Sequence, residues 1–74
     1  MTYHPAIAAR FARDARAEIL DIITTMGVEG MSGADLAAHV APYLHITSVL
    51  PVIDGLVRDR AVMLAGRRLI ATTR

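Results

Sequence analysis

Residues 32–60 read SGADLAAHVAPYLHITSVLPVIDGLVRDR, and this stretch decides the fold. Its apolar residues recur three and four positions apart. Leu36, Ala37 and Val40 form one such set, and Val49, Val52, Ile53, Leu56 and Val57 form another. Each set marks the buried face of a helix. Ser32 is placed to cap the first of these helices on the Asp35 backbone N–H, a variant of the capping box. Ala41-Pro42 ends it, because the residue before proline avoids helical angles. The expected unit is a helix to Val40, a turn over 41–46 and a longer helix to about Asp59. Thr47 or Ser48 is the expected cap of that longer helix. Pro51 is expected within or near its first turn, where the ring meets no preceding carbonyl.

Upstream, residues 5–26 predict one long helix. Pro5 suits a first helical turn. Ala8, Phe11, Ala12, Ala15, Ile19, Ile22, Ile23 and Met26 trace a single apolar stripe. Arg10–Asp14 reads as an i,i+4 pair on the solvated face. Gly27 suits the left-handed position that stops a helix. Met26, Met31 and Met63 read as fillers of core gaps. Downstream, Ala61-Val62-Met63-Leu64 and Arg68-Leu69-Ile70-Ala71-Thr72 are strand-like runs within residues 61–72. The glycine of Ala65-Gly66-Arg67 turns the chain between them. The chain thus reads as a single domain, 1–74, mainly α with a small β-hairpin.

Composition bounds the function. A 74-residue chain makes one domain at most. At this size only about 60% of the unfolded surface is buried, so the core is marginal. Yet 54% of the residues are hydrophobic. Some apolar surface is therefore expected to be covered by a second chain, as a homodimer or with a protein partner. Ile7 and Phe11, beyond what one three-helix core needs, are the expected contacts to a second subunit. There is no cysteine, which excludes disulfides, thiol redox motifs and zinc ribbons. No apolar run approaches the ~18 residues of a membrane span. The N-terminus, MTYHPAIAARFARD, lacks a basic start followed by an apolar run. A cytoplasmic address, and a whole protein beginning at Met1, are the expectations. The net charge of +1 comes from eight arginines and seven acids, too balanced to announce nucleic-acid binding on its own.

No constellation for catalysis stands out. Ser32, Ser48 and the threonines have capping, strand or terminal explanations. The glycines at 27–33 lack the spacing of a dinucleotide loop. His4, His39 and His45 are the only nitrogen ligands, and a histidine pair without a third ligand is a poor zinc site. No enzyme, cofactor or metal is expected.

Helix, short strand, helix, turn, helix and hairpin is the order of winged helix-turn-helix domains. Over residues 16–72 the chain resembles those domains, as found in bacterial repressors of the arsenical-resistance and multiple-antibiotic-resistance families. RAEIL at 16–20 resembles their first core helix, and Asp35-Leu36-Ala37 is similar to their Glu-Leu-Ala signature. Leu44, Val49, Ile53 and Leu56-Val57 fall at the family's spacing. LVRDRAV at 56–62 resembles its helix-to-strand junction, where the family usually has glycine at the position of Arg60. Gly66-Arg67-Arg68 resembles the wing tip. The resemblance implies three helices plus a wing. It also implies a dimeric, DNA-binding transcriptional regulator of bacterial or phage type, which contacts double-stranded DNA through the third helix and the wing.

Two departures weigh against direct base reading. The turn between the second and third helices is about two residues longer than the compact bacterial form. The outward positions of the third helix are Thr47, Ser48, Leu50, Pro51 and Asp54, with none of the Arg, Lys, Asn or Gln that give bidentate base contacts. Thr47 and Ser48 remain for phosphate or base contact. Arg67 and Arg68 remain for backbone or minor-groove contact. Arg58, Arg60 and Arg74 can add backbone charge, although Arg58 and Arg60 are better placed to pair with Asp54 or Asp59. The alternative is a protein-interaction module on the same scaffold, a phage- or plasmid-type accessory or inhibitor protein. It would bind its partner through Tyr43, Leu50 and Pro51.

Overall fold

The apolar stripe at 49–57 folds as expected, into the helix on which the other elements assemble. The structure, a computed structural model, describes residues 3–72. In chain order it has α1 (Pro5–Thr25), a 3-10 turn (Gly27–Glu29), β1 (Met31–Ser32), α2 (Gly33–Val40), α3 (Ile46–Arg58), β2 (Val62–Ala65) and β3 (Arg68–Ala71). The strands form one antiparallel sheet in the order β1-β3-β2. Three helices, a minimal strand before α2 and a hairpin after α3 make a winged-helix layout.

The core lies where the helices meet the base of the hairpin. Ile19 and Ile23 of α1, Leu36 and Val40 of α2, Val49 and Leu56 of α3, and Val62 and Leu69 of the hairpin are all buried. Each such side chain contributes roughly 1.5–3 kcal/mol relative to staying exposed. Ser32 caps α2 as expected, its Oγ accepting from the Asp35 N–H at 3.0 Å. Gly27 follows the end of α1 with φ 69°, the left-handed stop its position demands.

The junction after α3 shows what the Arg60 departure means. The Ala61 N–H donates to the Leu56 carbonyl at 2.9 Å and the Arg60 N–H to the Val57 carbonyl at 3.0 Å. These are the two bonds of a Schellman motif. The motif needs a left-handed residue, and Arg60 supplies it at φ 63°, the only non-glycine among the described residues with positive φ. Arginine thus occupies a site whose backbone favours glycine.

Several local expectations need correction. α1 is not one straight helix. Asp14 has extended angles (φ −159°, ψ 86°), and its Oδ1 accepts from the Ala17 N–H at 3.1 Å. Asp14 is therefore the N-cap of the second half of α1. It does not pair with Arg10, which bonds Glu18 at 3.0 Å. Eight residues along a straight helix are about 12 Å apart, so the kink is what brings these two groups together. α3 is capped by His45, whose Nδ1 accepts from the Thr47 N–H at 3.2 Å, rather than by Thr47 or Ser48. Helix geometry therefore begins at Ile46, earlier than the threonine signal implied. This puts Pro51 in the sixth helical position, past the first turn. Met31 is buried, but Met26 and Met63 are exposed. Met26 lies beyond the end of α1, and Met63 points away from the core side of β2.

Candidate functional site

The N-terminal half of α3 carries four of the residues singled out by sequence, Thr47, Ser48, Leu50 and Pro51. Ile46, Thr47, Ser48, Leu50 and Pro51 are exposed, while Val49 between them is buried. Leu50 is 61% and Ile46 is 52% exposed. Four residues apart, they sit on one side of the helix. Ile46 did not emerge from the sequence reading. Its spacing disguised it, since Ile46 stands three residues before Val49 and seven before Ile53 and so reads as part of the buried stripe; its position in the first turn leaves it exposed.

Charge on this helix is largely self-cancelled. Arg58 bonds Asp54 at 2.5 Å across one exposed helical turn. Arg16 of α1 reaches Asp59 at 3.1 Å, so the two carboxylates of this region each face a guanidinium. Arg60 is exposed, and no ion pair holds it among the described residues.

The wing arginines differ from each other. Ala65 pairs with Arg68, leaving Gly66-Arg67 as a two-residue turn. Gly66 has φ 63°, the positive angle that the first position of a type II′ turn requires. Arg67 therefore stands exposed at the tip. Arg68 is turned back onto the body. Its Nε donates to the Glu29 carbonyl at 2.6 Å and its Nη2 to the Gly30 carbonyl at 3.2 Å. The expectation of a two-arginine wing thus reduces to one arginine projecting freely, with the second engaged at the 3-10 turn. Arg74 lies outside the described residues.

The expected second-subunit contacts are drawn into the chain's own fold. Phe11 is 6% exposed and stacks on Tyr43, with ring centroids 5.4 Å apart. Tyr43 also lies 5.4 Å from the Tyr3 ring, and its hydroxyl accepts from the His4 N–H at 3.1 Å. Ile7 packs against the same core, half-buried. Tyr43 is half-buried too, so it anchors the start of α1 to the turn between α2 and α3. Phe11 consequently offers no surface to a second subunit. The first half of α1, held over the turn, is what hides it.

A groove of about 280 Å³ runs beside this aromatic cluster, and His4, Glu18, Asp21 and His39 line it. Among the described residues, no three His, Asp or Glu side chains are grouped to hold a metal ion. None of their helices is long and apolar enough to cross a membrane.

Compared with known proteins, the chain matches no family model, no curated protein and no solved structure. The site must be read from its own chemistry. An exposed helix with two large aliphatic residues and a proline, and with its one arginine paired to its own aspartate, suits an apolar contact better than a phosphate backbone.

Proposed function

We propose that this chain is a protein-interaction module on a winged-helix scaffold, which docks a partner against the outer side of α3. The observation that carries this reading is the exposure of Leu50 and Ile46 on the same side of that helix. A small folded domain gains nothing for its own core from aliphatic residues there. Exposed apolar groups clustered on a rigid element are the usual core of a protein contact. Pro51 strengthens the reading. It removes the backbone N–H that would bond the Thr47 carbonyl, so it weakens the helix it sits in. The partner is expected to present a complementary apolar face.

DNA binding is the second reading, favoured by Arg67 at the wing tip and by exposed Thr47 and Ser48 in the first turn of α3. One experiment separates the two. Affinity capture from cells that express the chain natively, with wild type and Leu50→Asp in parallel, should yield a stoichiometric partner that the variant loses. Binding of a mixed-sequence duplex, followed by fluorescence anisotropy against salt, supplies the other arm. If Arg67 and two further cations touch phosphates, log K falls against log salt with a slope near −3 per subunit. A slope of that size, with a partner retained by Leu50→Asp, overturns the proposal in favour of DNA.

A further inference from the structure

The groove beside the Phe11–Tyr43 stack does not end there. A second hollow, of about 360 Å³, continues from it between α1 and α2. The two share Asp21, Ile22 and His39, so they form one trough. It runs beside α1 from Glu18 to Thr25, about 11 Å of helix axis. Each hollow lies close to the lower end of the roughly 300–1,000 Å³ of small-ligand sites.

The two ends of the trough differ in chemistry. At the first, the rings of Phe11 and Tyr43 join Ile7 and Ile22, and the charges cancel, because Arg10 is bonded to Glu18 at 3.0 Å. At the second, Asp21 and Asp35 share the lining with Ile22 and Met31. Neither carboxylate has a hydrogen bond or an ion pair among the described residues. No arginine lines this end. Asp35 stands in the first turn of α2, where the helix N-terminus offsets part of its charge. Asp21 lies well inside α1 and has no such offset.

We propose that this trough binds a small amphipathic amine. Its apolar body lies against Phe11, Tyr43 and Ile22, and its ammonium group lies between Asp21 and Asp35. Charge selects this occupant. An anion of the same shape meets two carboxylates and no free cation. A neutral apolar molecule strips water from those carboxylates and returns nothing for it. An ammonium group displaces the same water and replaces it with charge-assisted hydrogen bonds. Length agrees, since about 11 Å accommodates one aromatic ring and a short alkyl chain. The acids stand at an exposed rim, so the affinity of so small a ligand is roughly millimolar.

This surface is separate from the outer side of α3, and the test keeps the two apart. The probe is 4-phenylbutylamine, titrated into the full chain at pH 8 and followed by amide chemical shifts. Saturating shifts are expected at Asp21, Ile22, Asp35 and His39. The anion 4-phenylbutyrate, with the same body, should not saturate. Asp21→Asn should weaken amine binding roughly three- to fivefold and Asp35→Asn by less, and added salt should weaken it too. Both residues are exposed, so circular dichroism should be unchanged in either variant. Leu50→Asp should bind the amine as the parent does. Equal binding of amine and butyrate overturns the proposal, and so does amine binding unaltered in the Asp21→Asn, Asp35→Asn double variant or lost in Leu50→Asp. Shifts at these amides that follow protein concentration without amine assign the trough to a second copy. Saturation by a short leucine–arginine peptide amide, but not by the amine, assigns it to a polypeptide. Either result overturns the proposal as well.

Discussion

Single positions in this chain are under unequal backbone constraint, and the constraint is testable. Gly30 has φ 64° and ψ −156°, a region essentially reserved for glycine. A Cβ added there would run into the Leu69 carbonyl oxygen and the Ile70 side chain. Gly30→Ala should therefore cost about 3 kcal/mol, from strain and overpacking together. Gly27 also has positive φ, but a Cβ there meets nothing within 4 Å. Gly27→Ala should cost only about 1 kcal/mol. Urea midpoints of the two variants check the difference, and equal losses would show that steric contact at Gly30 is not the cause. Arg60 is the converse case. Its left-handed backbone costs about 1–2 kcal/mol in a non-glycine residue, against about 0.5–1 kcal/mol for the added freedom of glycine. Arg60→Gly should raise stability by about 0.5–1 kcal/mol, which for a domain this small raises Tm by roughly 2–8 °C. The resemblance to winged helix-turn-helix domains had implied a glycine at position 60. It gave no such sign at Gly30, because the obstacle is a strand 39 residues away in the chain.

Among the elements, the extent of α2 was legible and the break in α1 was not. Leu36 and Val40 define α2 and its observed end is Val40, but the expected reason for the stop fails: Ala41, before Pro42, keeps helical angles (φ −50°, ψ −39°). α1 carries a continuous apolar stripe, so nothing in its periodicity announces the break at Asp14. The one local hint is an N-cap residue type standing inside a helix. Asp14→Ala should remove the cap and cost about 1 kcal/mol, while Asp14→Asn should be nearly neutral. Thermal melts of both would decide it, and equal melting points would remove Asp14 as a cap. α3 makes the complementary point. Its inward side was readable from the stripe, but its start was misplaced, because a histidine imidazole caps it. Pro51 inside this helix predicts an exchange of stability for binding. Pro51→Ala should restore a backbone bond and raise the urea midpoint by the equivalent of at least about 1 kcal/mol. The same substitution should weaken capture of the α3 partner. A variant both less stable and fully competent to bind would contradict the role given to this residue.

For the molecule as a whole, a radius of gyration of 11.6 Å matches the roughly 11 Å expected of one packed body of this length. Marginal stability follows, on the order of 4–11 kcal/mol in total. Phe11→Ala should remove about 3–5 kcal/mol of that, because the ring is buried against Tyr43. The variant should unfold at a much lower denaturant concentration with its sedimentation at low concentration unchanged, whereas a subunit contact at Phe11 would show the reverse. The sequence reading placed residues 7 and 11 beyond a three-helix core, whereas Phe11 belongs to the core cluster and Ile7 packs against it. That depends on the kink at Asp14 and on Tyr43, which no helical period connects.

The Arg68 fork has a mechanical meaning. It joins the base of the hairpin to the carbonyls of Glu29 and Gly30, just ahead of the segment that leads into α2. Two of the five guanidinium N–H groups are spent on those carbonyls, which leaves the Nη1 side open. An anion meeting Arg68 would therefore find a group already oriented by the body of the protein, with the fork still fastening the hairpin in place.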